Sequence, residues 1–296
     1  MKKRLSAREA RLGIAMISPA MAVIVGLMLY PLLYTVYLTV ADYHVMKGVS
    51  GGFTGLEKYI RVMTDSQFWN AIGVTMYFVA GSLILQMILG FAAALFLNIP
   101  FRGQKYLRAV MLAPWAVPTV ANAQLWNWIL NASYGALNKL LMQIGIISEP
   151  IVWLGRPALA LNVIIVADTW KMLPLFVVML LAGMATIPES HYEAAKLEGA
   201  GILASFRLIT FPLLKPMLLV VLILRTSQAI KVFDIIYMLT QGGPNNTTMT
   251  ISYYTYYQTF GLFDFGYGAA LGMIVTIITI FIALTYKKIL KAEEVY

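Results

Sequence analysis

The chain has 296 residues, 60% of them hydrophobic and 12% charged, with a formal net charge of +9. Soluble domains carry roughly 25% charged and 45–50% apolar residues, so a water-soluble fold of this length could not hide so much apolar surface. There is no cysteine, which excludes disulfides, thiolate catalysis and cysteine-ligated metals, and the Lys and Arg residues flank apolar runs instead of forming the aromatic-interleaved basic stripe that nucleic-acid binding requires.

A membrane-crossing helix needs about 20 apolar residues, and six stretches meet that length. They cover residues 12–40, 71–97, 109–130, 158–185, 213–239 and 267–286. The first has the basic start of a signal peptide (Lys2, Lys3, Arg4) and an Ala20-Met21-Ala22 that mimics a cleavage site. Its apolar run continues past that point, beyond the core of about 7–15 residues that a signal peptide uses, which predicts an uncleaved crossing. The third and fifth are the least regular. Pro114, Pro118, Asn122, Gln124 and Asn127 interrupt one, and Arg225 and Lys231 the other.

Orientation follows from the basic residues of the loops. With the N-terminus inside, fourteen lie inside: Lys2, Lys3, Arg4, Arg8, Arg11, Arg102, Lys105, Arg108, Lys196, Arg207, Lys215, Lys287, Lys288 and Lys291. Five lie outside: Lys47, Lys58, Arg61, Lys139 and Arg156. This bias predicts both termini in the cytoplasm. The loops at 41–70 and 131–157 then face outward, and Phe68-Trp69 sits where aromatic rings favour the headgroup boundary. His44 and His191 are expected in loops, too far apart in sequence to suggest a metal site. No internal repeat stands out, so one membrane domain is expected, with a cytoplasmic N-terminus at 1–11, a transmembrane domain at 12–286 and a cytoplasmic tail at 287–296.

The loop between the fourth and fifth stretches is the most informative. Pro188 suits a first helical turn and Glu189 suits the positive helix end, so a helix is predicted over 188–198. At about 1.5 Å per residue it is roughly 15 Å long, too short to cross the membrane. Gly199 and Gly201 allow a sharp change of direction after it. Ala194 and Ala195 would let another protein approach its backbone, and Glu193 offers a carboxylate to a partner's Arg.

Ionisable and amide side chains inside the crossings are costly and usually face the bundle interior or a wet cavity. Asp168 and Lys171 are three residues apart on one helical face and could form an ion pair; Arg225 and Gln228 are likewise three apart. Two readings stand side by side: these groups line a solute path, or they only neutralise one another between helices. The chain has no phosphate-binding Gly-x-x-x-x-Gly-Lys-Ser/Thr, so any energy for transport comes from a partner or an ion gradient.

Glu193-Ala194-Ala195, then Gly199-Ala200, Phe206, Ile209, Pro212 and Pro216, resembles the EAA loop of ABC importer permeases over some 24 residues, with Glu198 where that family usually has Asp. Phe53-Thr54-Gly55-Leu56-Glu57-Lys58-Tyr59 with Asp65 and Phe68-Trp69, and Phe233-Asp234 through Gly242-Gly243-Pro244, resemble the carbohydrate permeases of the maltose and glycerol-phosphate type. The resemblance implies an all-α integral membrane fold of six transmembrane helices, the type I ABC importer permease fold. It implies that Glu193, Ala194, Ala195, Glu198 and Gly199 form a coupling helix docking into a cytoplasmic ATPase. It also implies that positions matching the family's solute contacts fall on Asp168, Lys171, Met172, Leu175, Arg225, Gln228 and Ala229. The expected partners are a sister permease subunit, two cytoplasmic ATPase subunits that carry ATP and Mg, an extracytoplasmic solute-binding protein and membrane lipid. The chain itself is expected to hold no cofactor or metal and to catalyse no reaction. A disaccharide or short oligosaccharide is the expected solute, with glycerol phosphate as the alternative. An ion-driven secondary transporter using Asp168 or Asp234 remains a second reading, though no matching pair of interrupted crossings is evident from the sequence. A membrane-embedded enzyme is a third, and no His-Glu-x-x-His supports it.

Overall fold

The computed structural model describes residues 7–44 and 48–290. Lys2, Lys3 and Arg4 of the basic N-terminus, Lys47, and Lys291 with the rest of the tail from 291 to 296 lie outside the described residues. The chain divides into one unit of Met1–Thr64 with Thr255–Met273 and another of Asp65–Tyr254 with Ile274–Tyr296.

In the first unit, helix α1 (Ala7–Ile24) continues through a π-helical turn (Val25–Leu29) into α2 (Tyr30–Val40). Arg11–Val40 is long and apolar enough to cross a membrane, and its most apolar stretch has no buried residue. Such a face is costly in water and costless in lipid. Two short antiparallel strands follow, β1 (Ala41–His44) and β2 (Gly48–Phe53), where the sequence predicts only loop. His44 therefore ends a strand. Gly48-Val49-Ser50-Gly51-Gly52 has the Gly-x-Ser-x-Gly spacing of hydrolase nucleophiles, but it lies along β2 and not on the strand-to-helix turn that chemistry needs. Helix α3 (Glu57–Thr64) is held by Lys58, whose Nζ donates to the Ala41 carbonyl and to Thr54 Oγ1. Arg61 pairs with Asp264 at 2.9 Å and lies 4.3 Å over the Tyr267 ring.

The second unit is built on α4 (Ser66–Asn98), whose N-cap Asp65 accepts from the Gln67 N–H at 2.9 Å. Helix α4 packs along α8 (Pro157–Met184). Glycines make the close approach possible: a Cβ at Gly90 would come within 2.5 Å of the Phe176 ring, and one at Gly81 within 2.9 Å of Ile165. Between them run α5 (Gln104–Ala116), α6 (Thr119–Ile129) and α7 (Ala136–Gln143). The outer-loop prediction at 131–157 is organised by Asn138, which donates to Ala132 O and Ile151 O and accepts from Ile151 N and Trp153 Nε1.

After α8 come α9 (Glu189–Leu197), α10 (Ile202–Ser205), a π-helical turn (Phe206–Thr210), α11 (Phe211–Ile230) and α12 (Asp234–Leu239). Helix α13 (Ile251–Tyr256) and α14 (Phe265–Leu290) complete the chain. Among the described residues five helical segments are long and apolar enough to cross a membrane: Arg11–Val40, Ser66–Asn98, Pro157–Met184, Ile202–Leu239 and Phe265–Tyr286.

The predicted third crossing is not one helix. It breaks at Val117, which is extended (φ −69°, ψ 127°), before Pro118. Proline has no N–H and pushes its predecessor out of the helical region, so the chain changes direction there. The fifth is also interrupted, between Ile230 and Asp234, where Phe233 adopts φ −136°, ψ −59°. The structure therefore does contain a pair of broken helices, which the sequence did not make evident.

The Gly90 contact yields a test. Gly90→Ala should lower the stability of the purified protein by about 1–3 kcal/mol through overpacking against Phe176. Gly73→Ala, with nothing within 4 Å of its Cβ position, should be neutral or stabilising by up to about 1 kcal/mol. Thermal unfolding in detergent measures both.

Candidate functional site

Two polar features stand out, one inside the bundle and one on its surface. The interior one centres on Arg225 of α11, which is 1% exposed. Its Nε donates to Gln86 Oε1 of α4 at 2.7 Å, its Nη2 to Asp168 Oδ2 of α8 at 2.9 Å, and its Nη1 to Gln228 Oε1 at 3.1 Å. A buried guanidinium is tolerated only with such a set of acceptors. One cation thus ties three long helices at one level.

The i, i+3 spacing of Asp168 and Lys171 suggests that they pair with each other. In the structure Asp168 takes Arg225, and Lys171 Nζ donates to the Val117 carbonyl at 2.6 Å. The broken backbone at Val117 offers an acceptor that an intact helix would have consumed itself.

These residues border a cavity of about 110 Å³. Its wall includes Asp168, Lys171 and Met172 of α8, Arg225 and Gln228 of α11, Thr119 and Asn122 of α6, and the stretch Lys231–Ile235. Five of the seven path positions are brought together here. Leu175 and Ala229 are not part of the wall, and Ala229 is buried within the packing of α11. Both helix breaks open onto this cavity. Irregular backbone at membrane depth is tolerated only where it is buried in protein or lines a cavity.

Asn122 has no solvent exposure, and neither its Oδ1 nor its Nδ2 has a partner among the described residues. Asn138, by contrast, has its amide fully engaged. Gln86 was not apparent from the sequence, since a lone Gln in an apolar run has no local partner to signal its role. Its Oε1 is used by Arg225, while Nε2 is unpaired.

The surface feature is the loop after α8. Helix α9 covers Glu189–Leu197, with Pro188 as its N-cap residue and not in its first turn. It ends in a Schellman motif: Ala200 N–H donates to Ala195 O at 2.8 Å, Gly199 N–H to Lys196 O at 3.0 Å, and Gly199 takes φ +78°. Gly201 lies at φ −74°, ψ 176°, a conformation open to any residue, so the turn rests on Gly199 alone. His191 is in this helix, not in a loop. No residue of α9 is buried. Beside Glu193, Ala194 and Glu198, large aliphatic side chains stand out: Leu197 is 90%, Ile202 89% and Leu203 80% exposed. Tyr192 Oη is 3.0 Å from Thr210 Oγ1, tying α9 to the start of α11. The rings of Phe206, Phe211 and Phe91 cluster there with centroids 5.6–6.3 Å apart.

Apolar crossings around a polar cavity, with broken helices at its edge, define a helical membrane protein built to pass a solute. Comparison with known proteins agrees. The family described as the binding-protein-dependent transport system inner membrane component matches residues 86–292. The trehalose/maltose transport system permease protein MalF of Thermococcus litoralis is 40% identical over 286 residues, 97% of this chain and 96% of that one. The sulfoquinovosyl glycerol transport system permease protein SmoG of Agrobacterium fabrum is 34% identical over 96% of this chain and 91% of its own. A crystal structure of a bacterial ABC transporter involved in the import of the acidic polysaccharide alginate has a chain of the same fold, with a TM-score of 0.83 over 97% of both chains at 22% identity. The chain belongs to the binding-protein-dependent transport system inner membrane component family, and it is a multi-pass permease.

The ion pair carries its own prediction. Asp168→Leu alone or Arg225→Met alone should destabilise the protein by about 3–5 kcal/mol, because each strands a buried charge. The double substitution removes both charges and should melt closer to the parent than either single one.

Proposed function

We propose that the chain is one permease half of an ABC importer that carries a neutral disaccharide or short oligosaccharide across the cytoplasmic membrane by alternating access. The observation that carries the reading is the polar cavity onto which both helix breaks open. Planar amides and carboxylates suit sugar hydroxyls, and Asn122, Asp234 and the atoms of Gln228 and Asp168 that Arg225 does not use share the cavity wall with Phe233. The relatives named for trehalose, maltose and sulfoquinovosyl glycerol transport support the sugar class.

Charge argues against glycerol phosphate. Arg225 is committed to Gln86, Asp168 and Gln228, and Lys171 to Val117. A phosphate dianion would have to displace those acceptors or rely on Lys231, which shares the cavity with Asp234.

The chain crosses six times with both termini inside, α5 and α6 together making the third crossing. The bias of basic residues supports the orientation. On that side α9 is a coupling helix: Glu193, Ala194, Ala195, Glu198 and Gly199, with Leu197, Ile202 and Leu203, form a charged and aliphatic surface that an ATPase subunit covers. ATP and Mg belong to two such subunits, which supply the energy. A sister permease completes the pathway, and an extracytoplasmic binding protein delivers the solute. A solved alginate transporter was crystallised with such a periplasmic protein loaded with a pentasaccharide.

Two measurements test this. Glu193→Lys with Ala195→Trp should abolish co-purification of the ATPase and cut uptake by more than about tenfold, the loss of a central contact of some 1.4 kcal/mol or more. Uptake by membranes should also resist proton and sodium ionophores but require ATP. Ionophore-sensitive uptake with normal ATPase association would return the assignment to a secondary transporter. In a competition panel, di- and trisaccharides should inhibit uptake and glycerol phosphate should not. Gln228→Ala should raise the solute concentration at half-maximal uptake by about 5–20-fold, as expected for one or two lost hydrogen bonds.

A further inference from the structure

The two helix breaks beside the cavity are satisfied differently. At the second, neutral hydroxyls serve: Ser252 Oγ donates to Ile230 O at 3.2 Å and Thr250 Oγ1 to Val232 O at 3.1 Å. At the first, the acceptor is the Val117 carbonyl and the donor is the ammonium of Lys171, 54 residues away on α8. Lys171 is 7% exposed and also borders the cavity.

In an unbroken helix the carbonyl of residue 117 would accept from the N–H of residue 121. The extended conformation that Pro118 imposes on Val117 prevents this. Helix α6 starts afresh, with Asn122 N–H donating to Pro118 O at 2.9 Å. The carbonyl at the end of α5 is the negative pole of that helix, where a cation is favoured. A carbonyl at membrane depth that has left its helix needs a donor, and Lys171 supplies it.

We propose that Lys171 is a positioning residue: it braces the break between α5 and α6, and so sets where Asn122 and Thr119 face the cavity, instead of binding the solute itself. The proposal rests on the permease reading for its transport readout. It does not depend on which solute is carried, because its second readout needs none.

In the assembled transporter, Lys171→Met keeps the chain length and removes the donor. Its maximal uptake rate should fall about tenfold, as for one carbonyl left without a donor, while the solute concentration at half-maximal rate stays within about twofold. Lys171→Arg, which still reaches a carbonyl, should restore most of the rate. A raised half-saturation concentration with the rate preserved would make Lys171 a solute ligand and overturn the proposal; so would parental kinetics in Lys171→Met.

The second readout is the melting temperature of the detergent-purified protein. Pro118→Ala lets Val117 bond within a continuous helix, so the drop caused by Lys171→Met should shrink to less than half in that background. Equal drops in the two backgrounds would show that Lys171 and the break are independent, and would overturn the brace. If the protein proved to carry no sugar, this cycle would still decide the question.

Discussion

The bundle is organised by the burial of one guanidinium. Arg225 sits at 1% exposure in a protein whose surroundings are largely hydrocarbon, so its charge must be met by acceptors inside the chain. Gln86, Asp168 and Gln228 meet it, and they come from three elements, α4, α8 and α11. Apolar packing between helices tolerates sliding by a turn. A bidirectional clamp of charged hydrogen bonds does not, because a one-turn slip of about 5.4 Å would strand the guanidinium. The glycines at positions 81 and 90 let α4 and α8 approach, but the Arg225 set fixes their register.

The same solvent constraint explains the cavity. Lipid offers no hydrogen bonds, so a chain that breaks its helices must rehouse the freed carbonyls. Here Ser252, Thr250 and Lys171 do so. The breaks in turn free α6 and α12 to lie against each other beside α8, which leaves polar side chains facing a common space. Asn122 borders that space with its amide unpaired among the described residues.

Much of this was legible in the sequence, and the exceptions share a cause. Apolar runs located the five long apolar helices because composition alone separates lipid-facing from water-facing chain. Gly199 announced its turn because the left-handed conformation of a Schellman motif singles out glycine. Pro118 was visible, yet residues 109–130 read as one crossing, because hydropathy averages over a window and prolines kink helices as well as break them. The pairing of Asp168 failed for a different reason. Spacing along one helix suggested Lys171, but the partners that won, Arg225 and the Val117 carbonyl, lie 57 and 54 residues from Asp168 and Lys171. Long-range partners leave no local pattern. Gln86 was silent for the same reason, as was the two-stranded hairpin, whose glycine-rich second strand has little strand propensity.

The path from surface to cavity is short. Tyr192 links α9 to Thr210, and Thr210 leads directly into α11. From Thr210 to Arg225 is fifteen residues of one helix, roughly 22 Å. The π-helical turn Phe206–Thr210 and the ring cluster of Phe91, Phe206 and Phe211 lie along this route. Those rings pack against α4, which also supplies Gln86 to the clamp. The Arg225 set is thus reached from α9 both along α11 and through α4.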